Sequence, residues 1–395
     1  MKEIYLIKVD PGANNNKYYR MIPTGDTFRV EYGRVGAGCQ TAVYPISQWN
    51  KKYNEKLRKG YQDKTELRIE AVSDGKVQYK EIEDPDVAEL VRSLMASAAQ
   101  AVRENYTVSD KAVTTAMIYE AKRILIRLML ISDLELFNKS LVELFQVIPR
   151  RMSDVRVHLA GSPSDFASIL SREQGLLDVM EGQVKTNRII KDTTLSEDDK
   201  NRTILEAMGL EIRPASRSDI TRIKKLLGES NGLFNKAWVV VNKKTQEAFD
   251  HFMEDHPIRT KFLWHGSRNE NWWSILNSGL VLRPQAVITG KMFGNGIYFA
   301  PKARKSIGYT SLDGSYWARG NSDCGYMAVF EVGYGKPRNV KTAQGFHGYD
   351  YHRLKKDAPD CDCVHAHAGV SLRNDEIIIY REDQLTIRYL VRLKR

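Results

Sequence analysis

Three stretches of the chain hold side chains able to do chemistry: Leu263-Trp264-His265-Gly266-Ser267-Arg268, Gly294-Asn295-Gly296-Ile297-Tyr298-Phe299-Ala300 and Asp375-Glu376-Ile377-Ile378-Ile379-Tyr380. Each sets one reactive or hydrogen-bonding group at the edge of a short apolar run with strand composition. A strand end can present such a group while the run beside it is buried. His265, Tyr298 and Glu376 can therefore converge on one small-molecule site.

Other patterns carry less. Gly290-Lys291-Met292-Phe293-Gly294-Asn295-Gly296 is glycine-rich, but its spacing fits neither a phosphate loop nor a dinucleotide fingerprint. Its glycines suit a tight turn and a close backbone approach to a ligand. Cys361-Asp362-Cys363-Val364-His365-Ala366-His367 offers four metal-ligand side chains. On a strand, alternate residues point the same way in a line, whereas zinc takes a tetrahedral cage, so no metal is expected. His265 and Ser267 sit too close along one strand end to act as the base and nucleophile of a hydrolase triad.

The elements that must position these groups divide the chain into three regions. Residues 1–75 read as a small β-rich domain, with Ile4-Tyr5-Leu6-Ile7-Lys8-Val9 and Phe28-Arg29-Val30-Glu31-Tyr32 as strands and turn material between them. Ser47 is placed to cap one helix carrying Trp49, Tyr53 and Leu57 on a single face. Residues 84–190 read as an all-α bundle. Asp84-Pro85-Asp86 opens one helix, a second runs from Asp133 to Pro149, and Ser164-Asp165 opens a third. The polar run from Lys191 to Lys200 reads as a linker.

From 205 to 395 the texture is α+β. Trp238-Val239-Val240-Val241, Lys261-Phe262-Leu263-Trp264, Met327 to Val332, Glu376 to Tyr380 and Tyr389 to Leu393 are strand material. A helix through Trp272 and Leu276 ends at Gly279. Without regular strand-helix alternation, a doubly wound sheet is not expected.

Composition bounds the class. The 395 residues are 42% hydrophobic and 28% charged, with net charge +11, as expected of a folded chain of two or three domains that tolerates an anionic partner. Four scattered cysteines argue against a disulfide framework. The first residues lack an apolar core of signal-peptide length, and no apolar run reaches the ~20 residues of a membrane span. The expectation is an intracellular protein without a membrane partner, nuclear if the source is eukaryotic and cytoplasmic if bacterial.

The three stretches of the opening, with Lys305-Ser306-Ile307-Gly308-Tyr309 between them, resemble in order the catalytic domain of the poly(ADP-ribose) polymerases. Asn14-Asn15-Asn16-Lys17-Tyr18-Tyr19 followed by Glu31-Tyr32-Gly33-Arg34-Val35-Gly36 is similar to the WGR domain of that family's DNA-dependent members, with Tyr32 in place of the Trp. Phe145-Gln146-Val147-Ile148-Pro149 and the helices after it look like their helical regulatory domain.

The resemblance implies an α+β multidomain protein. Residues 1–75 would be a WGR-like DNA-binding domain, 84–190 a helical regulatory domain and 205–395 an ADP-ribosyltransferase domain. The activity implied is transfer of ADP-ribose from NAD+, as co-substrate and with no metal, to protein acceptors, itself included, and to growing chains. Broken DNA would activate it through Tyr32, Gly33 and Arg34. Alternatives are single transfers only, or a DNA-binding scaffold with weak catalysis.

By resemblance, Gly266 and Ser306 hold the nicotinamide carboxamide, Tyr309 and Tyr298 flank its ring, and His265 binds the adenosine ribose. Ser267 and Asn271 line the adenosine side. Glu376 stabilises the cationic transition state and orients the acceptor, and members without this Glu are usually limited to single transfers. Three positions depart from the family pattern: Val281 where an Arg is common, and Lys291 and Asn374 where Tyr is common.

Overall fold

The computed structural model describes residues 1–68, 79–107, 113–191, 201–282 and 292–395, omitting the side chain of Lys191. Asp192 to Lys200 of the expected linker, and Arg283, Thr289, Gly290 and Lys291, lie outside the described residues. The architecture is α+β: a β-rich N-terminal domain, a helical region and a sheet-containing C-terminal domain. It divides into two compact units. One gathers the N-terminal sheet with residues 100–107 and 113–187; the other gathers 79–99 and 188–191 with the described residues from 201 onward.

In the first unit, strands β1 (Ile4–Asp10), β2 (Asn15–Thr24), β3 (Thr27–Arg34) and β4 (Gln40–Pro45) form an antiparallel meander, and the short β5 (Gln62–Asp63) pairs with β1. Strand alternation sends Leu6, Tyr19, Met21, Phe28 and Val30 to one face, where Trp49 closes the core with its ring edge-on to Phe28 at 5.0 Å. Ser47 is not the cap of that helix. The chain first makes a 3₁₀ turn at Ile46–Gln48, so the helix Trp49–Arg58 begins from Gln48 without a side-chain cap. Leu57 is exposed, leaving Trp49 and Tyr53 as the packed face.

Helices Thr115–Met129 and Leu134–Val147 pack on each other, each capped by the residue before it: Thr114 Oγ1 accepts from Met117 N, and Asp133 Oδ1 from Leu136 N. These caps satisfy amide donors that a helix start leaves bare. The long helix Phe166–Lys191 follows a turn capped by Ser162, two residues before the expected start.

The helix Pro85–Asn105 begins as expected, with Asp84 Oδ1 accepting from Asp86 N and Val87 N. Its first turns belong to the second unit. Asp86 pairs with Lys236 at 2.7 Å and Glu89 with Arg392 at 3.2 Å.

The second unit holds two sheets. Strands β6 (Leu210–Pro214), β7 (Phe234–Asn242), β14 (Leu385–Lys394), β10 (Cys324–Gly333) and β8 (Thr260–Gly266) lie side by side in that order, all antiparallel. The other sheet runs β11 (Pro337–Val340), β12 (Cys363–Ala366), β13 (Glu376–Ile379), β9 (Ile297–Phe299), with only β11 and β12 parallel. A reciprocal backbone pair, Trp264 N to Ala300 O and Ala300 N to Trp264 O, both 2.9 Å, stitches β8 to the residue after β9. Apolar faces bury Trp264, Val329, Val391 and Leu393 in one core and Phe293, Val364, Ile378 and Tyr380 in the other. Burial of this kind contributes ~25 cal/mol per Å² of apolar area and fixes the relative placement of the strands.

Candidate active site

The stitch between Trp264 and Ala300 carries the next residue of β8, His265, up to β9. His265 Nδ1 donates to the Tyr298 carbonyl at 3.0 Å, because a carbonyl can only accept. Burial lowers the imidazole's pKa, so the ring stays neutral and leaves Nε2 as a bare acceptor.

Tyr298 and Glu376 are brought together by the register of β9 with β13. Tyr298 pairs with Ile378, so its side chain shares a face with Ile378 and with Glu376 two residues earlier. The phenol accepts from Phe293 N at 2.9 Å and donates to Gly294 O at 2.8 Å. Its proton is held far more tightly than an ordinary tyrosine's, chiefly through burial, with the Glu376 charge adding to the effect.

Glu376 is 5% exposed. Its Oε1 lies 2.5 Å from Lys305 Nζ, while its buried Oε2 has no hydrogen-bond partner among the described residues. Burial raises the carboxyl's pKa and Lys305 opposes the rise. Lys305 also donates to the Asn374 carbonyl at 3.3 Å. Sequence reasoning gave Lys305 no role, although it stands directly before Ser306 in the helix Ala303–Ile307.

Gly266, the last residue of β8, meets the Ser306 backbone so closely that a Cβ there would fall 2.0 Å from the Ser306 carbonyl oxygen. Only glycine fits this approach. Tyr309, one turn beyond Ser306, is about a third exposed and stacks on Trp317 at 6.2 Å. Its pKa is pushed up to about 12, first by burial and then by the Glu376 charge, so its ring lies within reach of that carboxylate's field. Ser267 Oγ accepts from Asn271 Nδ2 at 2.9 Å, which joins these two residues at the start of the helix Asn269–Ser278.

The arrangement brings together a close main-chain approach, an acceptor imidazole, two tyrosines and one buried carboxylate oxygen that has no partner among the described residues. Such an oxygen is costly to bury unless a ligand satisfies it or a cation comes to it. Val281 is exposed. Gly228-Glu229-Ser230-Asn231-Gly232 has the spacing of a serine-hydrolase elbow, but it forms a 3₁₀ segment between a helix and β7 and not a strand-to-helix turn.

The DNA-binding candidates sit at the end of β3. Tyr32 is half-buried and tilts against Tyr19 at 5.9 Å. A Cβ at Gly33 would lie 3.1 Å from the Gly38 carbonyl oxygen. The Arg34 guanidinium donates to the carbonyls of Asn14 at 2.8 Å, Met152 at 3.2 Å and Ser153 at 2.8 Å, tying β3 to the segment after the Leu134–Val147 helix.

Comparison with known proteins fixes the class. Residues 219–395 match the model for the poly(ADP-ribose) polymerase catalytic domain, and residues 2–68 match that for the WGR domain. The chain is thus an NAD+-dependent ADP-ribosyltransferase. It is 30% identical to Uncharacterized protein 101L of Invertebrate iridescent virus 6 over 224 residues, covering 55% of this chain and 91% of that protein. To Poly [ADP-ribose] polymerase 2 of Zea mays it is 23% identical over 476 residues, covering 98% of this chain and 70% of that protein. To Poly [ADP-ribose] polymerase 2 of Homo sapiens it is 32% identical over 171 residues, covering 36% of this chain and 28% of that protein. The chain belongs to the poly(ADP-ribose) polymerase family. No helix among the described residues is long and apolar enough to cross a membrane.

Proposed function

We propose that the chain is a DNA-break-activated poly(ADP-ribose) polymerase that modifies protein acceptors, itself included, and extends the chains it starts. The observation that carries this reading is Glu376: one oxygen is held by Lys305 and the other is buried and bare. The bond from ribose C1′ to nicotinamide breaks through an oxocarbenium-like transition state, and nicotinamide leaves as a neutral group. What the reaction needs is positioning and a negative charge beside the developing cation. Glu376 supplies that charge and receives a ribose hydroxyl on Oε2.

His265 Nε2, the neutral acceptor, takes a hydroxyl of the adenosine ribose. Gly266 main chain and the Ser306 hydroxyl read the two ends of the carboxamide, a group that is both donor and acceptor. Tyr309 and Tyr298 flank the nicotinamide ring, as suits a flat cation. Ser267 and Asn271 line the adenosine side as a hydrogen-bonded pair.

For DNA, the reading rests on the N-terminal sheet. A recess there is lined by Lys8, Lys17, Lys56 and Lys59 with Tyr61, a surface suited to phosphates. Tyr32, Gly33 and Arg34 complete the interface, with Arg34 shaping it through its hold on Met152 and Ser153. The helical region restrains NAD+ access until DNA shifts a pre-existing equilibrium.

A second reading, single transfers only, is favoured by Val281 and Asn374, which depart from the pattern of chain-extending members. Labelled NAD+ with and without nicked DNA, wild type against Glu376→Gln, separates the two. A DNA-dependent ladder that collapses to a single shift in the variant supports polymer synthesis, and a single shift in both refutes it.

A further inference from the structure

The sheet that carries Glu376 has a second face, and three ligand-type side chains meet on it. Register pairs His365 with Ile377 and Ala366 with Glu376, and one step further along the same antiparallel pair His367 stands beside Asp375. Because side chains alternate, His365, His367 and Asp375 share the face opposite Glu376. His365 Nε2 lies 2.9 Å, and His367 Nδ1 3.3 Å, from the same Asp375 oxygen, Oδ2. The three ligand atoms all fall within 4.8 Å of one another. The two imidazole centroids are 3.9 Å apart.

Hydrogen bonding fixes the far side of each group. His367 Nε2 lies 2.8 Å from Asn339 Oδ1, which leaves Nδ1 turned toward Asp375. His365 Nδ1 lies 2.9 Å from the Tyr334 hydroxyl, and Asp375 Oδ1 accepts from Ala368 N at 2.9 Å. Each group is thus oriented by a partner on its other side, the arrangement that metal ligands require.

We propose that His365, His367 and Asp375 form a binding site for a divalent transition metal ion of the zinc class, which clamps β12 to the residue immediately before Glu376. Two imidazoles and one carboxylate select zinc and its d-block neighbours over magnesium or calcium, which prefer all-oxygen sets. Three protein ligands leave a fourth position for water. The Cys361 and Cys363 thiols are buried elsewhere, with Cys363 Sγ donating to the Tyr334 carbonyl at 3.2 Å, so the site is free of sulfur.

The test titrates the full chain, stripped with chelator, with Co²⁺ as a spectroscopic stand-in and then with Zn²⁺. Expected are one equivalent of Co²⁺ with tetrahedral d–d bands and no thiolate charge-transfer band, displacement by Zn²⁺, and a higher melting temperature with Zn²⁺. His367→Gln, at a partly exposed ring, folds like wild type by circular dichroism and weakens binding by at least ~10-fold, the scale expected for loss of an ordered contact at a metal site. Cys39→Ser leaves it unchanged. Thiolate bands, affinity unchanged in His367→Gln, or no micromolar binding would overturn the site.

Discussion

Lys305 Nζ lies 2.5 Å from Glu376 Oε1, and both side chains are almost wholly buried. A buried carboxylate paired with a lysine is sensitive to that lysine. With Glu376 in its proposed role, activity is expected to fall on acidification as Glu376 is protonated; burial raises its pKa while Lys305 pulls it back. Lys305→Met removes the opposing influence, so the acid limb of the kcat/KM profile moves to higher pH. Lys305→Arg keeps the charge and holds the limb close to wild type. A limb that does not move in Lys305→Met would detach Lys305 from the carboxylate's titration.

Glu376→Gln keeps the shape and removes the charge. Nicotinamide release falls roughly 10²–10³-fold, the scale for losing a preorganised electrostatic contact in a transition state. Steady-state nicotinamide release from the purified chain with nicked DNA measures it.

Tyr298→Phe leaves the Phe293 amide and the Gly294 carbonyl without their partner. Each buried group so orphaned costs about 1–3 kcal/mol. The expected outcome is a lower melting temperature together with a raised KM for NAD+, read by calorimetry and by substrate titration.

Arg34→Ala removes the tie from β3 to Asn14, Met152 and Ser153. Stability falls by about 1.5–3 kcal/mol per charged hydrogen bond removed, and stimulation by nicked DNA is lost. Arg34→Lys rescues poorly, because a single ammonium cannot span carbonyls that a guanidinium fork reaches together. Urea unfolding and DNA-stimulated turnover of the three proteins compare the two effects.

Glu173 is 2% exposed and pairs with the buried Arg150 at 3.6 Å, while Arg150 Nε and Nη1 have no hydrogen-bond partner among the described residues. Breaking a buried pair by neutralising one member leaves the other charge uncompensated. Glu173→Gln therefore lowers stability by about 3–5 kcal/mol, seen as an earlier first transition in urea.

What the sequence made legible was whatever a short window can encode. Apolar alternation placed His265, Tyr298 and Glu376 on strand edges, and Asp84, Asp133 and Gly279 marked helix ends. The local caps at Ser47 and Ser164 were misplaced because short 3₁₀ turns intervene. Contacts fixed by long-range register were hidden. The Lys305 contact with Glu376 spans a helix and a distant strand. Asp375 joins His365 and His367 only once β12 pairs with β13, so a run of ligands that looked linear in sequence gains its third member from the neighbouring strand.

The approach of Gly266 to Ser306 leaves no room for a side chain between two backbones. Gly266→Ala would cost ~1–3 kcal/mol in overpacking and push the Ser306 backbone away. A competitor of nicotinamide that reads only the Gly266 main chain would therefore face a surface that mutation can scarcely redraw, and resistance to it would have to arise at side chains around it, such as Tyr309.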